Sequence, residues 1–276
     1  MHKVVERTRI VPNIHLLRVE APEVVRKLQP GNFVIVKIDQ IGERIPLTAA
    51  DWDEETGIVS LVFMTVGAST HRLAQLEAGD EIEACVGPLG RAQAVDKFGT
   101  VVTVMGCYGI GAMLPVARAM KKAGNRVIAV IEARTEELLY WQDKYDEFAD
   151  RIVLTTYGLS CAGHGRAADA LQDIIDKGVS IDRVVALGCT YMMMRTAEAT
   201  RPFHIKTIVG LNPVMIDGTG MCGVCRCTVG GQTKFACVDG PHFDAHEVDW
   251  QELTFRRRSY LDEEVRALSE FETRTY

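Results

Sequence analysis

Residues 100–124 read TVVTVMGCYGIGAMLPVARAMKKAG. The opening segment, VVTVMG, is a continuous apolar run of the kind found in a strand buried on both faces. It feeds a helix through IGAMLPVARAMKKAG, with glycines at the junction. The same rhythm continues downstream as VIAVIEA, a helix over EELLYWQDKYDEFA, RIVLTTY, a helix over RAADALQDIIDKG, and RVVALG. A Met-rich helix around Tyr191–Thr200 and a last strand, IKTIVG, complete it. Strand alternating with helix predicts a parallel sheet with right-handed crossovers.

Upstream of Thr100 the texture differs. HKVVERTRI, NIHLLRVEA, NFVIVKID, GIVSLVFMTV and DEIEACV are short, β-branched and partly alternating, with Pro-Gly or acidic-Gly punctuation. Such spacing predicts a small closed Greek-key barrel. One helical stretch interrupts it, STHRLAQLEAG, with Ser69 as the expected N-cap and Gly79 as the stop. Downstream, from Asn212, the pattern dissolves into NPVMIDGTGMCGVCRCTVGGQTKFACVDGP, which needs a metal to hold it. An Arg triplet, Arg256 to Arg258, and a polar helix from Leu261 follow. The predicted architecture is a β-barrel over 1–97, a parallel-sheet α/β domain over 98–212, a small cluster-binding loop domain over 213–240, and a helical tail over 241–276.

A chain of 276 residues suits two compact domains with an appendage. Apolar residues at 47% and charged residues at 25% exclude disorder as the main state. The net charge of −6 gives no pull toward nucleic acid, and 7% aromatics argue against stacking platforms. The start, MHKVVERTRI, is charged where a signal peptide is apolar, and no run is long enough for a membrane span. The cysteines therefore read as thiols of a reducing cytosol rather than a disulfide framework.

Asp217-x4-Cys222-x2-Cys225-x11-Cys237 has the plant-type ferredoxin spacing, with aspartate in the first place. Gly218, Gly220 and Gly223 let backbone wrap an inorganic core and offer N–H groups to its sulfides. The reading is a 2Fe-2S cluster. Zinc is the rival, but structural zinc sites usually show two short-spaced pairs, and Cys237 has no near partner. Cys227 is the alternative fourth ligand. It lies two residues past Cys225, where strand geometry points it elsewhere, so Asp217 is preferred.

Arg44-Ile45-Pro46-Leu47-Thr48 can set a guanidinium on a pyrophosphate while the threonine hydroxyl reaches an isoalloxazine edge. Val66-Gly67-Ala68-Ser69-Thr70 opens the one helix of the barrel half and suits a phosphate. R-x-P-L-T followed by a V-G-x-x-T helix start resembles the ferredoxin-reductase flavoprotein family. With the C-terminal cysteine loop, residues 1–265 resemble the branch holding the small subunits of NADH-dependent reduced ferredoxin:NADP+ oxidoreductase and of sulfide dehydrogenase. The electron-transfer subunit of dihydroorotate dehydrogenase is a cousin.

The resemblance implies FAD at Arg44, Pro46, Leu47, Thr48, Gly67, Ser69 and Thr70, although the residues alone also allow FMN. It implies a nicotinamide nucleotide, NAD(H), at Gly106, Gly109 and Gly111, with Cys189 of Gly188-Cys189-Thr190 beside the reacting rings. Departures from the family stand at Cys107 and Tyr108, at Thr190-Tyr191, and in Thr155-Thr156-Tyr157-Gly158-Leu159-Ser160. If those changes close the site, the second domain is a scaffold. Glu132 and Arg134 fall where a ribose or adenosine contact belongs. Cys85 and Cys161 suggest no role.

The implied activity is electron transfer between NAD(H), FAD and the cluster to a larger flavin and iron–sulfur partner subunit, with ferredoxin reached indirectly. In some members this works by flavin-based electron bifurcation. Sulfide dehydrogenase and dihydroorotate dehydrogenase subunits are the alternatives, and a zinc-holding scaffold without a flavin is a third.

Overall fold

The computed structural model describes residues 1–158 and 166–275. The loop positions Leu159 and Ser160, and Cys161, lie outside the described residues.

Seven antiparallel strands form the first layer: β1 (His2–Val11), β2 (Ile14–Glu20), β3 (Phe33–Lys37), β4 (Ile45–Asp53), β5 (Ile58–Met64), β6 (Glu81–Ile82) and β7 (Ala84–Leu89). Their order is β6-β1-β2-β5-β4-β3-β7. The two edge strands are successive in the chain, separated by Glu83 alone, so the sheet curls until its edges meet in a near-closed barrel. The expected single strand DEIEACV is therefore two strands that bend around this corner. A short helix, α1 (Pro22–Val25), covers one end. The second, α2 (Ala68–Leu73), is shorter than STHRLAQLEAG predicts, and its N-cap is Gly67 rather than Ser69. The hydroxyl of Thr70 explains the shift: it accepts from the N–H groups of Val66 (2.9 Å) and Gly67 (3.1 Å) and so closes the first turn from inside.

The second layer is a sheet in the order β10-β9-β8-β11-β12-β15. It comprises β8 (Thr100–Gly106), β9 (Arg126–Ala133), β10 (Arg151–Thr156), β11 (Arg183–Leu187) and β12 (Thr207–Gly210), all parallel, and β15 (His242–Asp244), antiparallel on the edge. Helices α3 (Gly109–Lys122), α4 (Gln142–Asp146), α5 (Ala167–Asp176) and α6 (Thr190–Thr200) cover its faces. Only a 3-10 turn over Glu136–Leu138 and α4 form within the expected helix EELLYWQDKYDEFA. Tyr140 and Tyr145 there are buried against the start of α3 instead of repeating at helical spacing.

A hairpin of β13 (Arg226–Val229) and β14 (Gln232–Phe235) turns through Gly230 and Gly231, both at positive φ, as the two-residue turn requires. The segment from 241 is not purely a helical tail. It first supplies β15 to the large sheet, then α7 (Trp250–Arg256) and α8 (Leu261–Thr275).

One core cluster lies wholly within the barrel, and two others cross these units. One cluster joins Phe33 and Ile35 of β3, Val102 and Val104 of β8, and Cys225, Val229, Ala236, Val248 and Leu253 of the C-terminal part. Another joins Ile14, Ala50 and Val62 of the barrel to α3. Barrel, sheet and cysteine module thus share buried surface. No helix among the described residues is long and apolar enough to cross a membrane.

Candidate functional site

The cysteine module brings its proposed ligands together in pairs. The sulfurs of Cys225 and Cys237 lie 3.2 Å apart, both residues buried. Asp217 folds over the adjoining loop, accepting from the N–H groups of Thr219 (3.0 Å) and Cys222 (2.9 Å). The Thr219 N–H, and then that of Cys222, hold its carboxyl below the ordinary carboxylate range. Cys222 is exposed at the loop apex. Among the described residues no three His, Cys, Asp or Glu side chains converge as a closed metal set. Gly218, Gly220 and Gly223 all take positive φ, which lets the loop curl.

The donor chemistry fits an iron–sulfur group. Burial, and then the neighbouring Cys225 sulfur, push the Cys237 thiol up to about 12. A buried thiol of this kind gives up its proton far more readily to a metal centre than to water. The N–H of Gly220 is directed at the Cys237 sulfur, the type of contact that tunes cluster thiolates. A carboxylate that accepts two N–H bonds still has lone pairs for a metal, so Asp217 remains available. Cys227 is turned away. It pairs with Lys234 in the hairpin, its thiol reaches the Lys234 carbonyl at 3.7 Å, and burial pushes it up to about 12.

The two halves of the flavin signature meet. Ser69 donates to Glu43 at 3.1 Å, which sets the turn before β4 against the start of α2 although 26 residues separate them. Arg44 is exposed beside this contact, and among the described residues its guanidinium makes no hydrogen bond or ion pair. Leu47 is buried in β4, and Pro46 and Thr48 are half-buried on either side. No atom lies within 4 Å of where a Gly67 side chain would stand, so backbone faces open space there. Thr70 is engaged in its own helix turn. Arg72 pairs with Asp39, a contact without a sequence signal.

At the carboxyl ends of the parallel strands the glycines serve packing. A Cβ on Gly109 would stand 2.1 Å from the Leu187 carbonyl oxygen, and one on Gly111 2.7 Å from Val62 of the barrel. Gly106 and Gly188 face each other, the missing Cβ of Gly188 lying 3.0 Å from the Gly106 oxygen. Tyr140 accepts from the Gly111 N–H (3.1 Å) and donates to the Cys107 carbonyl (2.9 Å), so the entry to α3 is closed by a side chain. Gly109 and Gly111 are therefore required by strand–helix and helix–barrel contact.

Tyr108 lies across to the β11 loop, donating to the Gly188 carbonyl at 3.0 Å and accepting from the Asn212 amide at 2.6 Å. Thr190 donates to Asn212 at 3.1 Å, and Arg257 from the C-terminal segment donates to Thr190. Sequence reasoning missed Asn212 and Arg257, because nothing local marks a contact over 22 or 67 residues. Cys189 caps α6 by accepting the Met192 N–H at 3.4 Å and stays half-buried beside Cys107. Glu132 is buried: its carboxylate accepts the Ala167 N–H at 2.7 Å at the start of α5, and burial raises its pKa. Arg166 stacks over Tyr157 at 4.1 Å and Tyr191 at 5.0 Å.

Comparison with known proteins bears on all three places. A family model for the iron–sulfur cluster binding domain of dihydroorotate dehydrogenase B matches residues 212–249. The homolog of the dihydroorotate dehydrogenase B (NAD(+)) electron transfer subunit in Thermotoga maritima is 39% identical, over 96% of this chain and 93% of its own. The electron transfer subunit of that enzyme in Clostridium perfringens is 27% identical, over 90% of this chain and 97% of its own. A chain of the NADH-dependent reduced ferredoxin-NADP oxidoreductase, solved for insight into flavin-based electron bifurcation, superposes with a TM-score of 0.91. It is 37% identical and covers 98% of both chains.

Proposed function

Because the chain belongs to the family of dihydroorotate dehydrogenase B electron transfer subunits and their homologues, we propose that it is an oxidoreductase subunit. It carries electrons between NAD(H), FAD and a 2Fe-2S cluster, and hands them to a larger flavin and iron–sulfur partner, as in the NADH-dependent reduced ferredoxin-NADP oxidoreductase. A bound flavin takes a hydride, two electrons together, and returns them singly to an iron–sulfur centre.

The observation that carries this reading is where the cluster loop sits. Gly218, the residue after Asp217, lies so close to the flavin barrel that a Cβ there would stand 2.6 Å from Leu89 of β7 and 3.1 Å from Ile35 of β3. One-electron transfer needs the two centres to be neighbours, and this glycine allows the approach. Asp217, Cys222, Cys225 and Cys237 would hold the cluster, with Cys227 outside the set. Arg44 and Ser69 would bind the flavin diphosphate, Pro46, Leu47 and Thr48 would line its ring, and Gly67 leaves room for it. Gly106 lies beside Gly188 in the crevice where the nicotinamide nucleotide would enter, with Cys189 at its wall. Domain limits near 97, 212 and 240 suit these three functions. The thiol content of the chain supports a cytoplasmic location.

A second reading rests on the match of residues 212–249: the partner is the catalytic subunit of a dihydroorotate dehydrogenase. The anaerobic visible spectrum of the purified chain tests the main proposal. Flavin and iron–sulfur bands that both bleach with NADH are expected. Bands that bleach with dithionite but with neither NADH nor NADPH would reduce the second domain to a scaffold, and no bands at all would end the redox reading. Electron delivery to a dihydroorotate dehydrogenase catalytic subunit would select the second.

A further inference from the structure

We propose that Arg257, supplied by the segment after α7, is a phosphate-binding residue of the nucleotide crevice. The inference rests on the nicotinamide-nucleotide reading above and adds a residue from outside the α/β domain.

A dinucleotide brings two phosphate charges into the crevice, and α/β folds ordinarily meet them with backbone N–H groups at a helix start. Here several of those donors are already engaged. The Gly111 N–H of α3 is held by Tyr140, the Ala167 N–H of α5 by Glu132, and the Arg166 N–H by Asp169. With these donors taken, a charged side chain at the crevice would carry more of the contact to the anion. Arg257 stands at the Thr190 end of the crevice and is close enough for its charge to act on the Tyr108 phenol.

Its contact there is with a neutral hydroxyl. Among the described residues no carboxylate pairs with it, which leaves most of its five N–H donors free. It ends a directed chain of hydrogen bonds, Arg257 to Thr190 to Asn212, and Asn212 to Tyr108 to the Gly188 carbonyl. That chain fixes the guanidinium over the β8 and β11 loops and lowers the entropy lost when an oxyanion is clamped. The adjacent Arg256 donates to the carbonyls of Val224 and Arg226 in the cysteine module, which anchors the segment from below.

The test uses the full chain with flavin and cluster bound and measures equilibrium binding of NADH and of reduced nicotinamide riboside, which lacks phosphate. R257A and R257Q are compared with wild type, R258A serving as a surface control. R257Q can still donate to Thr190 but has no charge. NADH affinity is expected to fall about ten- to hundredfold in both variants, as for loss of a charged hydrogen bond. Riboside binding, the flavin and cluster absorption, and the rate of flavin reduction at saturating NADH should stay within about twofold of wild type.

Equal losses for riboside and NADH would overturn the proposal in favour of a structural role through Thr190, and so would unchanged NADH binding in R257Q. A wild-type protein that binds neither NADH nor NADPH would overturn the nucleotide reading itself, and this inference with it.

Discussion

Asp217 shows how one side chain can serve loop and cluster at once. Its two accepted N–H bonds set the turn from Thr219 to Cys222 and leave lone pairs for a metal. Cys227 has the better ligand atom and the wrong direction, because the ladder of the β13–β14 hairpin sends its thiol to the Lys234 carbonyl. Replacing Asp217 by Ala is therefore expected to lose most of the bound iron and the long-wavelength absorption, whereas Cys227→Ser keeps both. Iron and acid-labile sulfide per chain decide it, and cluster loss from Cys227→Ser alone would reverse the assignment. The spacing of the cysteines was readable in the sequence. The choice between two possible fourth ligands rested there only on strand alternation, and the hairpin register supplies the contact that supports it.

Among the elements, the start of α3 carries the clearest difference between a motif and its use. Gly106-x-x-Gly109-x-Gly111 looks like a nucleotide loop, yet two of its three glycines are needed because backbone and barrel press against them. Gly109→Ala should cost about 3 kcal/mol or more, since the new methyl meets the carbonyl of Leu187 and neither can move freely. For a chain of this size that corresponds to a melting point lower by roughly 6 °C or more. Gly67→Ala faces open space at an ordinary extended backbone and should change stability by about 0.5 kcal/mol or less. Thermal unfolding of the two variants checks the contrast, and a stable Gly109→Ala would return that glycine to the ligand site. Helix α2 teaches the same lesson on a smaller scale. Its sequence promised a longer helix, and an internal cap by Thr70 with an early end at Leu73 shortened it.

For the whole molecule, the decisive feature is that three units share their interior. His242 of β15 sits at the junction, with its Nε2 on the Gly31 carbonyl at 3.1 Å ahead of the barrel strand β3. Its Nδ1 is buried without a partner, and burial lowers its pKa to about 4. The folded protein thus binds this proton less readily than the unfolded chain, whose histidine titrates near its ordinary value. The His242 contribution to stability is complete above about pH 6.5 and is lost as pH falls toward 4, by about 3 kcal/mol in all. Urea unfolding of wild type and His242→Gln across that window should show the steeper decline in wild type. Parallel curves would refute the buried junction.

The division into a β half and an α/β half is legible in short windows of residues, because strand and helix periods are local, and so is the cysteine loop, because ligand spacing is local too. The folded arrangement is what returns β15 to the large sheet and presses the cysteine loop onto the barrel at Gly218. It alone brought Arg257 to Thr190 and set Glu43 beside Ser69. These contacts join residues far apart in the chain, and what selects them is the burial of shared apolar surface and the pairing of buried polar groups, which no short window of residues contains.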